Sequence, residues 1–173
     1  MIKFFDIYKQ DKKFLGNFIL DFKKTIKKTN FINGDPVYSF ENKFSKFCGS
    51  KYAVACNSGS DALFLALKSL NLKKDSEVIL PAQTYCSTLF AVIRADLKPV
   101  LVDIQNENPT ISLKDLKNKI TKKTSAIIMV HLYGEVCKVR QIKKLIKNKK
   151  IHLIEDAAQA HGAKDFSINK TGK

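Results

Sequence analysis

Ile151-His152-Leu153-Ile154-Glu155-Asp156-Ala157-Ala158-Gln159-Ala160-His161-Gly162 reads as an apolar strand that runs into acid and then into small residues. A carboxylate at the C-terminal end of a buried strand is costly unless a cation or hydrogen-bond donors compensate it. Asp156 is therefore a candidate partner for a cationic ring nitrogen, or else the N-cap of whatever helix follows. Gln159, three residues on, shares a helical face with it and can reach a neighbouring hydroxyl.

Working outward, the same strand-like texture recurs at Tyr52 to Cys56, Glu77 to Leu80, Val100 to Asp103 and Ala126 to Leu132. Helical patterns separate these runs at Ser60 to Leu70, Thr84 to Ala95, Leu113 to Ile120 and Val139 to Lys147. Continuous apolar strands alternating with helices predict an α/β fold, a mostly parallel sheet with helices on both faces. Ligands in such sheets bind beyond the carboxyl ends of the strands. Further upstream, Phe14, Leu15, Phe18, Ile19, Phe22 and Ile26 recur at helical spacing, and Thr29 to Pro36 reads as a loop. A second amphipathic helix carries Val37, Phe40, Phe44 and Phe47 and ends near Gly49. Residues 1–36 are thus expected to form a helical arm ahead of a domain over residues 37–173.

Composition narrows the class. A chain of 173 residues, 45% hydrophobic, is long enough to bury a core and is not of disordered type. Its apolar runs, such as Ala126 to Val130, fall far below the roughly 20 residues of a membrane span. The first residues lack the pattern of a secretory signal, so a cytoplasmic setting is expected. The net charge of +15 comes almost wholly from lysine, with Arg94 and Arg140 the only arginines. The lysines fall on helix faces and ends, the pattern of a solvated surface. A nucleic-acid site would carry arginine forks and interleaved aromatics, so no nucleic-acid partner is expected. Cys48, Cys56, Cys86 and Cys137 form no CxxC pair and no metal-ligand spacing, and Cys56 in its apolar run reads as a small buried hydrophobe.

Two further stretches carry chemistry. In Asn57-Ser58-Gly59-Ser60-Asp61, Gly59 allows close approach to a backbone, and the free amides of the helix that follows, with the Ser60 hydroxyl, suit a phosphate. Equally, Ser60 or Asp61 is merely the helix cap. In Pro81-Ala82-Gln83-Thr84-Tyr85, the Tyr85 ring at a strand end suits stacking on a flat heterocycle, or packing in the core. An anion cup and a cation partner in one chain suggest a cofactor with a phosphate at one end and a protonated ring at the other. Among the histidines, His131 ends a strand and suits lining a site. His152 reads as a satisfied packing residue, and His161 follows the acidic stretch.

Five blocks occur in order: Asn57 to Leu63, Leu80 to Tyr85, Pro99 to Ile104, His131 to Gly134, and Glu155 to Ala163. In this the chain resembles the DegT/DnrJ/EryC1/StrS family of pyridoxal-phosphate-dependent sugar aminotransferases, over about Gly34 to Ala163. The resemblance implies an incomplete fold-type-I large domain. It also implies that Gly59 and Ser60 hold the phosphate of pyridoxal 5'-phosphate, Tyr85 stacks on its ring, Asp156 pairs with N1 and Gln159 reaches the 3-hydroxyl. The implied reaction moves an amino group from an amino-acid donor to a nucleotide-linked ketosugar, in a homodimer. The family's Schiff-base lysine is expected beyond Lys173. Lys170, in a Phe166-Ser167 stretch that follows Gly162 too closely, does not fit that role, and Lys164 and Lys173 fit it less. The chain is then expected to be part of an enzyme, inactive alone and exposed at its sheet edges. The alternatives are a sugar dehydratase of the same family and a catalytically dead interaction or regulatory remnant.

Overall fold

The computed structural model describes residues 6–29 and 31–164. The chain divides into two compact units, with the boundary between Ala55 and Cys56.

The described residues of the first unit form three α-helices, α1 (Ile7–Asp11), α2 (Leu15–Lys28) and α3 (Asp35–Cys48), with a 3-10 turn over Lys12–Phe14 between the first two. The expected loop from Thr29 to Pro36 is shorter than the sequence suggested, because Asp35 and Pro36 already belong to the first turn of α3. Proline is tolerated there, where its missing N–H would have had no intrahelical partner. Gly49 closes α3 at φ 66°, and the Ser50 amide reaches back to the Ser45 carbonyl at 2.9 Å. On α3 the Phe40 and Phe44 rings stack at 5.3 Å between centroids.

The expected strand at Tyr52 to Cys56 does not form. A strand exists only by pairing, and no described strand lies beside this run. The Ala55 amide donates instead to Glu41 Oε1 at 2.8 Å, and Tyr52 and Val54 are exposed. Cys56 is accordingly exposed, not buried. The buried thiol is Cys137, whose Sγ donates to the Val130 carbonyl.

The second unit is an alternating α/β layer structure. Its elements are α4 (Gly59–Ser69), β1 (Glu77–Pro81), α5 (Cys86–Arg94), β2 (Lys98–Val102), α6 (Leu113–Lys119), β3 (Thr124–Val130), α7 (Val139–Leu145) and β4 (His152–Asp156). These four strands pair in parallel, in the order β2-β1-β3-β4, and an isolated antiparallel bridge joins Ile104 to Ile111 outside them. Alternate strand residues point to opposite faces, and the core divides accordingly. Val78, Leu80, Ala126, Ile128 and Val130 pack with Leu63 and Leu67 of α4 and Ala91 and Val92 of α5. Ile79, Val102, Ile127 and Met129 pack with Leu116 of α6 and Ile142 of α7. Each fully buried side chain of this size stabilises the fold by about 1.5–3 kcal/mol.

Topology then places the functional edge. The β1-to-β2 connection runs through α5 on one face, whereas β2-to-β3 and β3-to-β4 run through α6 and α7 on the other. Right-handed crossovers require this when the chain moves in opposite directions along the sheet. The connections therefore diverge at the carboxyl ends of β1 and β3, where a crevice opens.

Candidate cofactor site

The residues singled out from sequence lie along that edge. Pro81 pairs with Val102 and Val130 pairs with Asp156, and the β1–β3 register, Ile79 opposite Ile127, brings these two pairs of strand ends to within one residue of each other. The backbone continues the ladder one step further, the His131 N–H donating to the Asp156 carbonyl at 3.0 Å. Adjacent strands are about 4.8 Å apart, which puts β4 about 10 Å from β1 across β3.

Ser58, not Ser60, caps α4. Its Oγ accepts from the Asp61 amide at 3.2 Å and donates to Asp61 Oδ2 at 3.2 Å. Asp61 is held below its ordinary carboxylate range by the Arg94 guanidinium, with Asn57 and Ser58 adding to the effect. Arg94 reaches it at 2.6 Å while lying over the Phe64 ring, which ties α5 to α4. Ser60 is thus free of capping. Its hydroxyl meets the Ser87 hydroxyl, from the first turn of α5, at 2.7 Å. The amides of Gly59 and Ser60, first and second in α4, have no intrahelical acceptor. A Cβ at Gly59 would meet nothing within 4 Å among the described residues. The protein's own packing does not require glycine there, whereas a ligand lying against that amide would.

Tyr85 sits at the N-terminus of α5, 72% exposed and with no side-chain capping bond, so it is neither a core residue nor a side-chain cap. On β4, Asp156 Oδ1 accepts the Ala158 amide at 3.1 Å. The Gln159 Oε1 accepts the Tyr133 amide at 2.7 Å. That bond fixes which end of the carboxamide is which, and turns the donor NH2 end away from Tyr133. Tyr133 itself is held at φ 57°, a left-handed conformation unusual for a bulky residue, and its ring is exposed.

His131 lies beneath this edge, buried. Its Nδ1 accepts the Cys137 amide at 3.2 Å and its Nε2 faces Glu155 Oε2 at 3.3 Å. The Cys137 side chain, and after it Glu155, push the His131 pKa up to about 9, against burial and against the Cys137 amide, whose N–H to Nδ1 favours the neutral ring. Glu155 is correspondingly lowered by His131. Sequence reading found His131 suited to lining a site but missed this network, because Glu155 is 24 positions away and only strand register brings it near. His152, expected to pack internally, is the exposed first residue of the edge strand β4. Ser87 carried no signal in the sequence. Lys164 is exposed, and Lys170 and Lys173 lie outside the described residues.

The comparisons with known proteins agree in kind. The model of the DegT/DnrJ/EryC1/StrS aminotransferase family matches residues 15–172. The dTDP-3-amino-3,6-dideoxy-alpha-D-galactopyranose transaminase of Aneurinibacillus thermoaerophilus is 34% identical, over 94% of this chain and 45% of its own length. The GDP-perosamine synthase of Escherichia coli O157:H7 is 40% identical, over 76% of this chain and 36% of its own. Among solved structures, DesV of S. venezuelae superposes with TM-score 0.89 at 32% identity, covering 93% of this chain and 43% of DesV. The E. coli GDP-4-keto-6-deoxy-D-mannose-3-dehydratase with bound hydrated PLP superposes with TM-score 0.79 at 33% identity, covering 87% and 40%. The chain spans less than half the length of these relatives. The expected α/β architecture, a parallel sheet covered on both faces, is the one found in these structures. With the family model matching nearly its whole length, the chain belongs to the DegT/DnrJ/EryC1/StrS aminotransferase family.

Proposed function

We propose that this chain supplies the phosphate cup and ring-nitrogen partner for pyridoxal 5'-phosphate in an enzyme that transfers an amino group to a nucleotide-linked ketosugar. One observation carries the reading. Ser58 takes the cap of α4, which leaves the Ser60 hydroxyl, beside the Gly59 and Ser60 amides that have no intrahelical acceptor, at the carboxyl edge of the sheet that also carries Asp156 and Gln159. The residues fit the group. Gly59 and Ser60 would bind its phosphate, the Tyr85 ring would cover its face, and Asp156 would hold the proton on its N1. Gln159, turned by the Tyr133 amide, would give its NH2 end to the 3-oxygen.

When bound, the cofactor supplies an electron sink through its protonated ring. Asp156 maintains that protonation, because a carboxylate beside the nitrogen favours the charged form. The Schiff-base lysine is not among these residues. The aminotransferase reading over the dehydratase rests on the curated relatives, the A. thermoaerophilus protein being named a transaminase.

The same reading takes an amino-acid donor as second substrate, and an arm over residues 1–36 ahead of the cofactor domain over 37–173. It takes a homodimer as the working form, supported by Phe18, Ile19, Phe22 and Ile26 standing exposed along α2. A reducing, cytoplasmic setting is supported by four free cysteines. No described helix is long and apolar enough to cross a membrane. The test is a titration of the chain with pyridoxal phosphate, followed by cofactor absorbance. Saturable binding is expected, and its loss in Asp156→Ala; binding that ignores this substitution, or no binding, overturns the proposal.

A further inference from the structure

We propose that Ser87 is a positioning residue that orients the Ser60 hydroxyl toward the cofactor phosphate. The inference rests on the proposed function and deepens it. Ser60 and Ser87 are each the second residue of a helix, α4 and α5, and their oxygens are 2.7 Å apart across 27 positions of sequence. Both helices therefore present their positive ends at this one point.

In a bonded pair of hydroxyls, one proton lies between the oxygens and the other is free to be donated elsewhere. An anion beside the α4 amides takes the Ser60 proton. The Ser60 oxygen must then accept, and Ser87 is the donor within reach. Each bond polarises the other, so the Ser60-to-phosphate bond is stronger with Ser87 behind it than with water. Without Ser87 the Ser60 rotor has no partner on α5 to fix its direction.

The pair is not what holds the helices together. Arg94 binds Asp61 across the same interface, and Leu63, Leu67, Ala91 and Val92 pack beneath it. Removing the Ser87 hydroxyl therefore leaves the fold in place and changes what Ser60 does.

The test compares wild type, Ser87→Ala and Ser87→Thr, each titrated with pyridoxal phosphate and with pyridoxal, which has the same ring and no phosphate. Thermal unfolding of each serves as control. Ser87→Ala is expected to weaken pyridoxal phosphate roughly three- to tenfold. Pyridoxal binding should not change, and the unfolding midpoint should move by no more than about 2 °C. Ser87→Thr, which keeps the hydroxyl, is expected to restore wild-type affinity. Equal losses for both ligands would mark Ser87 as merely structural and overturn the inference, as would undiminished pyridoxal phosphate binding in Ser87→Ala. Either result leaves the cofactor assignment standing. Failure of the wild-type chain to bind pyridoxal phosphate sinks both.

Discussion

Ser58 and Ser60 are two serines in one turn, and the structure gives them opposite duties that substitution can separate. Ser58→Ala removes the acceptor of the Asp61 amide and the donor to Asp61 Oδ2, both at 3.2 Å. Loss of a serine N-cap costs about 1 kcal/mol. For a chain of this size that lowers the unfolding midpoint by about 2–4 °C. Ser60→Ala removes no cap. Its bond to Ser87 lies at an exposed position where water can substitute, so stability should stay within about 0.5 kcal/mol of wild type. Affinity should behave the other way. A hydrogen bond to a charged group is worth about 1.5 kcal/mol or more, so Ser60→Ala should weaken pyridoxal phosphate about tenfold. The assays are thermal or urea unfolding and a cofactor titration on the same preparations. The reasoning fails if Ser60→Ala destabilises as much as Ser58→Ala while cofactor affinity stays put, since Ser60 would then be the cap.

Two further outcomes test the scaffold. Ile127→Ala and Ile128→Ala empty fully buried positions on opposite faces of β3. Each should cost about 2–5 kcal/mol in urea unfolding; a loss below about 1 kcal/mol on either face would mean that its helix layer is not packed as described. The His131–Glu155 pair predicts a pH window. His131 is raised in the folded state, so its contribution is complete below its ordinary pKa and lost as pH rises through about 9. Glu155 is lowered, so its contribution is present above the ordinary glutamate value and lost as pH falls. Stability should therefore decline on both sides of pH 5–6.5, by only about 1 kcal/mol given the half-exposed carboxylate. In Glu155→Gln the His131 ring should titrate lower by NMR, and an unmoved titration would remove Glu155 as a cause.

What the sequence disclosed follows from which forces are local. Four of five apolar runs became strands because each is flanked by a helix that covers it, and periodicity reports coverage. The run at Tyr52 to Cys56 carries the same texture without a described partner, and pairing is a property of two segments that one segment cannot display. Likewise, any of Ser58, Ser60 and Asp61 suits a cap by composition. The backbone decides among them, because only the residue with extended dihedrals, Ser58 at φ −155° and ψ 157°, can fold its oxygen back onto the third amide. The positions of Tyr85 and Asp156 at the sheet edge were legible because their strands end abruptly beside them. Ser87 and the Glu155 contact of His131 were not, since both depend on adjacency between elements far apart in sequence.

The sheet order explains why a site assembled from so many segments can be precise. With β1 between β2 and β3, right-handed connections must leave on opposite faces, and the space between the ends of β1 and β3 stays uncovered by either. Three short tethers then fix what borders that space: Ser60 to Ser87 between α4 and α5, Tyr133 to Gln159 across β3 and β4, and His131 to the Asp156 carbonyl one step past the ladder. Two of the three use a main-chain N–H, so they persist through changes in the side chain that carries it. The serine pair alone consists wholly of side chains. Losing the Gln159 carboxamide would leave the Tyr133 amide without its acceptor, whereas losing either serine hydroxyl takes a bond from no main-chain group, so the serine pair is where cofactor affinity can change with least disturbance of the backbone.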